Sequence, residues 1–295
     1  SIVYGLLVES ALRRLVKTLR PTQIIHMCEN NPWERACVRA AAAVTVDLAL
    51  GLAVNDGDGG IDTLTTIENV LGSDFDDTLT GDNLANTLSG GAGVDTLDGG
   101  DGDDLLQGDA GNDNFIASAG ADTFDGGTGS DTLDYQNLAG ANFITVSLLG
   151  SSDATVTVDG GSADTVRNVE NITATAGADT LIGDGNANTF FGLGGADRLI
   201  GGGGTDTLDG GAGTDVVDYS TSIAGVNVDL STNQATDDGL GATDNIFNVE
   251  NIRGSLLEQK VIDNILSKAK LSKHKLTIEA YNKLQDTAFK VTEEN

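Results

Sequence analysis

Ten aspartates stand at one position of a nine-residue unit, an arrangement suited to repeated ligation of a hard cation rather than to one catalytic centre. They are Asp77, Asp95, Asp104, Asp113, Asp122 and Asp131 in one array, and Asp179, Asp197, Asp206 and Asp215 in a second. Asn86 and Asn188 hold the same position in the two remaining units. The units run without insertion, seven over residues 72–134 and five over 174–218. Paired carboxylates also serve glycoside hydrolysis, but a strict spacing of nine and eighteen residues calls for a repeated ligand. Other chemistries lack their residues. His26 and His274 are the only histidines, no H-E-x-x-H or G-x-S-x-G occurs, and Cys28 and Cys37 form neither a disulfide framework nor a zinc site.

Such carboxylates need a scaffold that returns every eighteen residues. Units beginning at Gly90, Gly99, Gly126, Gly201 and Gly210 read G-G-x-G-x-D in full, as in GGAGVDTLD and GGDGDDLLQ. Glycine permits the positive φ of a tight turn. The following x-apolar-x is a very short strand that sends one side chain inward. That inward residue, at position eight, is Leu79, Leu88, Leu97, Leu106, Phe115, Phe124, Leu133, Leu181, Phe190, Leu199, Leu208 or Val217. Two units make one coil, so aspartates eighteen apart become neighbours: Asp77 with Asp95, Asp95 with Asp113, Asp104 with Asp122, Asp113 with Asp131, Asp179 with Asp197, and Asp197 with Asp215. Asn86 with Asp104 and Asn188 with Asp206 keep the oxygens but lose one charge.

These units, GGAGVDTLD, GGDGDDLLQ and GGTGSDTLD among them, resemble the RTX, or haemolysin-type, calcium-binding nonapeptide repeat. The resemblance implies a parallel β-roll in which turn carbonyls and paired aspartates enclose Ca²⁺, here about six to eight ions at the pairs named above. It implies a secreted or cell-surface bacterial protein, exported unfolded by type I secretion and folding on calcium outside the cell. The expected role is a structural or adhesin-like part of a larger secreted protein, not an enzyme. The alternative is the non-catalytic repeat module of a secreted polysaccharide-modifying enzyme or protease. Calcium is the expected partner, with cell-surface components or polysaccharide reached through other regions.

Charge agrees with cation binding. The net charge is -29, and residues 44–255 hold 36 of the 45 acidic residues with only Arg167, Arg198 and Arg253 as basic ones. Such a surface repels nucleic acid and anionic membranes and attracts cations. No apolar run is long enough for a membrane span. The N-terminal residues place their basic side chains after the apolar run, the reverse of a secretory signal.

The expected fold is mainly β: two parallel β-rolls, 72–134 and 174–218, joined by β-hairpin-like segments at 44–71, 135–173 and 219–255. The Glu-Asn pairs Glu68-Asn69, Glu170-Asn171 and Glu250-Asn251 recur in those segments and are expected to cap the first coil of each array. Helical flanks are expected at 1–43 and in the Lys-rich tail 256–295, where Leu257, Val261 and Ile265 recur at four-residue spacing. The repeat period is lost outside 44–255, as in a slice of a longer array joined to unrelated sequence.

Overall fold

The computed structural model describes residues 36–37, 45–50, 52–55, 62–63, 67–138, 143–159, 161 and 163–254. The expected helical tail and nearly all of the expected N-terminal helix lie outside these residues. Ala36–Cys37, the described part of that flank, is a strand rather than helix and pairs in parallel with Asn69–Leu71.

Each nonapeptide folds as a turn followed by a short strand, of three residues in most units, as in Thr96–Asp98 and Thr132–Asp134, and of six in Thr87–Ala92 and Leu105–Ala110. The strands are short because the next turn follows after position nine. Stacking is parallel and in register with a step of eighteen residues, for example Thr78↔Thr96 and Leu79↔Leu97. The position-eight side chain points inward in all twelve units and is fully buried. These residues form a narrow apolar ladder between two sheets, one of 12 strands and one of 13. Phe115 and Phe124, from opposite sheets, meet edge to face with centroids 5.8 Å apart.

The expectation of two separate rolls is not met in that form, because both sheets run from one array into the other. In the second sheet the passage is direct: Leu133 pairs in parallel with Ile172, and Ile172 with Phe190. In the first sheet, Phe124 pairs in parallel with Val166. Two antiparallel strands, Ala154–Val158 and Ile144–Ser147, are then inserted before Val146 pairs in parallel with Leu181. The reason lies in length. The connecting segment is long enough to add a hairpin to one sheet while its last fifteen residues complete an ordinary coil in both.

The C-terminal segment repeats this plan. Asp244–Phe247 joins the second sheet in parallel with Thr207–Asp209, followed by the antiparallel strands Gln234–Asp237 and Asn227–Asp229. Among the described residues no helix is long and apolar enough to cross a membrane.

Candidate metal centre

Position six is where the backbone ladder changes hands. Its C=O accepts a main-chain N–H from the next coil, as Asp77 O does from Thr96 at 2.9 Å. Its own N–H faces the turn, where no carbonyl is in register. The aspartate eighteen residues on supplies the acceptor through Oδ1. Asp77 N–H donates to Asp95 at 2.8 Å, Asp95 to Asp113 at 2.9 Å, and Asp113 to Asp131 at 2.8 Å. On the other side Asn86 N–H donates to Asp104 at 2.7 Å and Asp104 to Asp122 at 2.9 Å. In the second array Asp179 donates to Asp197 and Asp197 to Asp215, both at 2.8 Å. All six expected aspartate pairs are therefore stacked neighbours, and each of the ten aspartates is buried.

The second carboxylate oxygen divides the turns into two kinds. Oδ2 of Asp95, Asp104, Asp113, Asp131, Asp197, Asp206 and Asp215 is buried without a hydrogen-bond partner. In each of these units position two is left-handed: Gly91, Gly100, Asp109, Gly127, Leu193, Gly202 and Gly211, with φ between 64° for Leu193 and 109° for Gly91. A left-handed residue turns its N–H away from the carboxylate. Gly100 and Gly211 donate instead to Asp98 and Asp209, both at 3.1 Å.

The other five units have Ser73, Asp82, Ser118, Thr175 or Asp184 at position two, none of them left-handed. There the turn satisfies its own side chain. Ser73 and Thr175 donate N–H to Asp77 and Asp179, Asp82 and Asp184 donate N–H to Asn86 and Asn188, and the Ser118 hydroxyl reaches Asp122. The two asparagines thus do not present a spare oxygen.

The position-one glycine completes the cradle. A Cβ on Gly90, Gly99, Gly108, Gly126, Gly192 or Gly201 would collide with the carboxylate of its own unit. The carboxylate therefore lies directly against glycine backbone, with turn carbonyls around it.

Four ladder members escape a search for nonapeptides: Asp164, Glu170, Asp244 and Glu250. Asp164 accepts the Asp122 N–H at 3.0 Å, and Asp244 accepts that of Asp206 at 3.1 Å. Glu170 and Glu250 accept the N–H of Asp131 and Asp215 at 3.0 and 2.8 Å. The glutamates follow a turn three residues shorter, in which Asn168 and Asn248 take φ of 51° and 49°. Their extra methylene spans the longer reach. These side chains close the preceding array, while the backbone of the same segments stacks on the following one as the sequence suggested: the Glu68 carbonyl accepts the Thr87 N–H, and the Glu170 carbonyl accepts from Asn188 and Thr189. The recurring N-V-E-N at 168–171 and 248–251 is the signal that marks them.

At both junctions a buried tyrosine occupies the other oxygen. Tyr135 hydroxyl donates to Asp164 Oδ2 at 2.8 Å, and Tyr219 hydroxyl to Asp244 Oδ2 at 2.9 Å.

Burial is the main force on the ladder carboxyls. It pushes Asp95, Asp197 and Asp206 up to about 7, and Asp104, Asp131 and Asp164 up to about 6, with neighbouring carboxylates adding to the shift. Asp113, Asp122, Asp179 and Asp215 are raised by the same cause. The arginines do not relieve them. Arg167 pairs with Asp125 at 2.8 Å and Arg198 with Asp218 at 2.7 Å, both position-nine residues. Asp218, by contrast, is held low: Ser220 and the Arg198 guanidinium outweigh its burial.

The array therefore concentrates buried, unpaired anionic oxygens in turns rich in carbonyls. This is the donor set of a hard cation such as Ca²⁺. No group of three or more His, Cys, Asp or Glu side chains converges among the described residues. A cation held there by one or two carboxylates would take its remaining oxygens from turn carbonyls or water.

Comparison with known families agrees with this chemistry. The model of the RTX calcium-binding nonapeptide repeat matches residues 71–106, 98–133, 168–199 and 182–217. No curated protein matches the chain.

Proposed function

We propose that this chain, an RTX calcium-binding nonapeptide repeat protein, is a structural module that completes its folding only when calcium is supplied outside the cell. The observation that carries this reading is the set of seven buried Oδ2 atoms without partners. An unpaired buried carboxylate is strongly unfavourable, so the β-roll contains its own demand for positive charge.

Asp95, Asp113 and Asp131 form one continuous stack of such oxygens, and Asp197 and Asp215 form another. These five, with carbonyls of the Gly-rich turns, are the principal ligands in this reading. Asp104 and Asp206 each offer one oxygen, while Asp77, Asp122 and Asp179 contribute less because their turns already engage them. Calcium, when bound, supplies two positive charges and accepts six to eight oxygens in flexible geometry. The residues themselves hold the backbone ladder through Oδ1 and present Oδ2 to the turn.

Weak sites, with dissociation constants of about 10⁻⁴ to 10⁻³ M, suit extracellular calcium and stay unfilled in the cytosol. Export of an unfolded chain followed by folding outside is consistent with that range. The regular stack, in which every ladder carboxylate has a structural partner, favours a stiff spacer or adhesin-like part of a larger secreted protein over a catalytic unit.

The test is circular dichroism of the chelated chain titrated with calcium or magnesium. A cooperative gain of β signal with calcium near 10⁻³ M, and far less with magnesium, is expected. A full β signal in chelator would refute the reading.

A further inference from the structure

At the C-terminal junction the ladder partner of Asp206 brings it no spare oxygen. The next ladder member, Asp244, has one oxygen on the Asp206 N–H and the other under the Tyr219 hydroxyl, so it offers no spare oxygen. Asp206 Oδ2 is itself buried and unpartnered.

A second unpartnered oxygen lies in the same junction, outside both arrays. Asp238 is fully buried, and its Oδ2 has no hydrogen-bond partner. Its Oδ1 is fixed by the N–H groups of Leu240 and Ala242, at 2.7 and 3.0 Å. Gly239 and Gly241 take φ of 80° and 99°, the left-handed alternation seen at positions two and four of the array turns. The segment D-G-L-G-A-T-D, 238–244, is thus a nonapeptide turn with one residue inserted and aspartate in place of the first glycine. Asp238 is also close enough for its charge to act on Asp206 and Asp244, adding to the effect of burial.

The central junction is an internal control. There Asp122 donates to Asp164 and Tyr135 covers the other Asp164 oxygen, as at the C-terminal junction. However, the Ser118 hydroxyl satisfies Asp122 Oδ2, and the aspartate that opens the corresponding turn, Asp159 of D-G-G-S-A-D, is only half-buried. A fully buried carboxylate oxygen without a partner accompanies the unsatisfied array oxygen, whereas Asp159, beside the satisfied one, is neither fully buried nor free.

We infer that Asp238 and Asp206, with carbonyls of the 238–242 turn, form an additional divalent-cation site, selective for calcium, that locks the C-terminal segment onto the second array. This rests on the reading that the array carboxylates bind calcium.

The experiment is calorimetric titration of the full chain with calcium, comparing wild type with Asp238→Asn. Asparagine keeps the Oδ1 acceptor for the turn and removes the charge. The variant is expected to bind one ion fewer, or one ion about tenfold more weakly, with an unchanged β signal at saturation. Wild-type stoichiometry and affinities in the variant would overturn the site while leaving the array reading intact. A wild-type chain that binds no calcium would overturn both. Should the variant fold poorly, a crystal structure of the wild-type chain grown in calcium decides the matter. Anomalous density coordinated by Asp206 and Asp238 supports the site, and water alone there refutes it.

Discussion

Asp95 accepts the backbone N–H of Asp77 at 2.8 Å through one carboxylate oxygen and leaves the other buried without a partner. One side chain thus does two jobs: Oδ1 maintains the ladder and Oδ2 creates the demand for a cation. The two jobs separate by mutation.

Asp113→Asn retains an acceptor for Asp95 N–H and loses the charge. It should weaken calcium binding while leaving the chelated chain no less stable. Asp113→Ala also strands a buried N–H and should cost a further 1 to 3 kcal/mol or so in denaturation at saturating calcium. Asp179→Asn should change calcium affinity less than Asp113→Asn, because the Thr175 N–H and hydroxyl already engage Asp179. Equal affinity losses on calorimetry would contradict the division between the two kinds of turn.

Acid should partly replace calcium. Asp95, Asp197 and Asp206 are raised to about 7 in the folded chain, from an ordinary value of 3.8. A carboxyl raised on folding leaves stability fully present below its unfolded pKa, and that stability is lost as pH rises through its folded pKa. The chelated chain should therefore gain β signal as pH falls from about 8 to about 5, and the calcium midpoint should rise over the same interval. A chelated spectrum that does not change across this range would contradict the burial of unpaired carboxylates.

Glycines should differ by position rather than by number. At Gly111, φ is 146° and a Cβ would run into the carbonyl of Gly93, so Gly111→Ala must displace backbone. At Gly185 a Cβ meets nothing within 4 Å. Gly185→Ala should be neutral or stabilise by up to about 1 kcal/mol. Gly111→Ala should destabilise by at least about 1 to 3 kcal/mol. Thermal melts in calcium that rank the two alike would disprove the turn geometry.

The aspartates at position six and the apolar residues at position eight were legible because nine-residue spacing fixes both which side chains stack and which point inward. The two fates of Oδ2 were also written in the sequence, at position two. A period search overlooks them because it scores Ser73 or Thr175 merely as a degenerate glycine. Glu170 and Glu250 were hidden because they follow a shortened, glycine-free turn, and Asp164 and Asp244 because the segment inserted before them breaks the register that made the others visible. The continuity of the sheets was hidden for another reason. A hairpin inserted in one sheet separates the arrays by about forty residues in sequence, while Leu133, Ile172 and Phe190 remain successive rungs in space.

That continuity predicts how the arrays fold. Stacked repeats are coupled through their nearest neighbours, and at the junction the coupling runs through Leu133, Ile172 and Phe190 in one sheet. Glu170 adds to it, taking the Asp131 N–H on its side chain and the Asn188 side-chain amide on its carbonyl, at 3.0 and 2.9 Å. Hydrogen exchange followed by mass spectrometry at stepped calcium concentrations should therefore show residues 96–134 and 180–209 becoming protected together. Glu170→Asp shortens the side chain by one methylene, too little to reach Asp131 across the shortened turn. This variant should split the protection into two transitions, with calcium stoichiometry in the arrays preserved. If wild type already shows two transitions, the junction does not couple the arrays; if the variant stays single, the coupling runs through the apolar rungs alone.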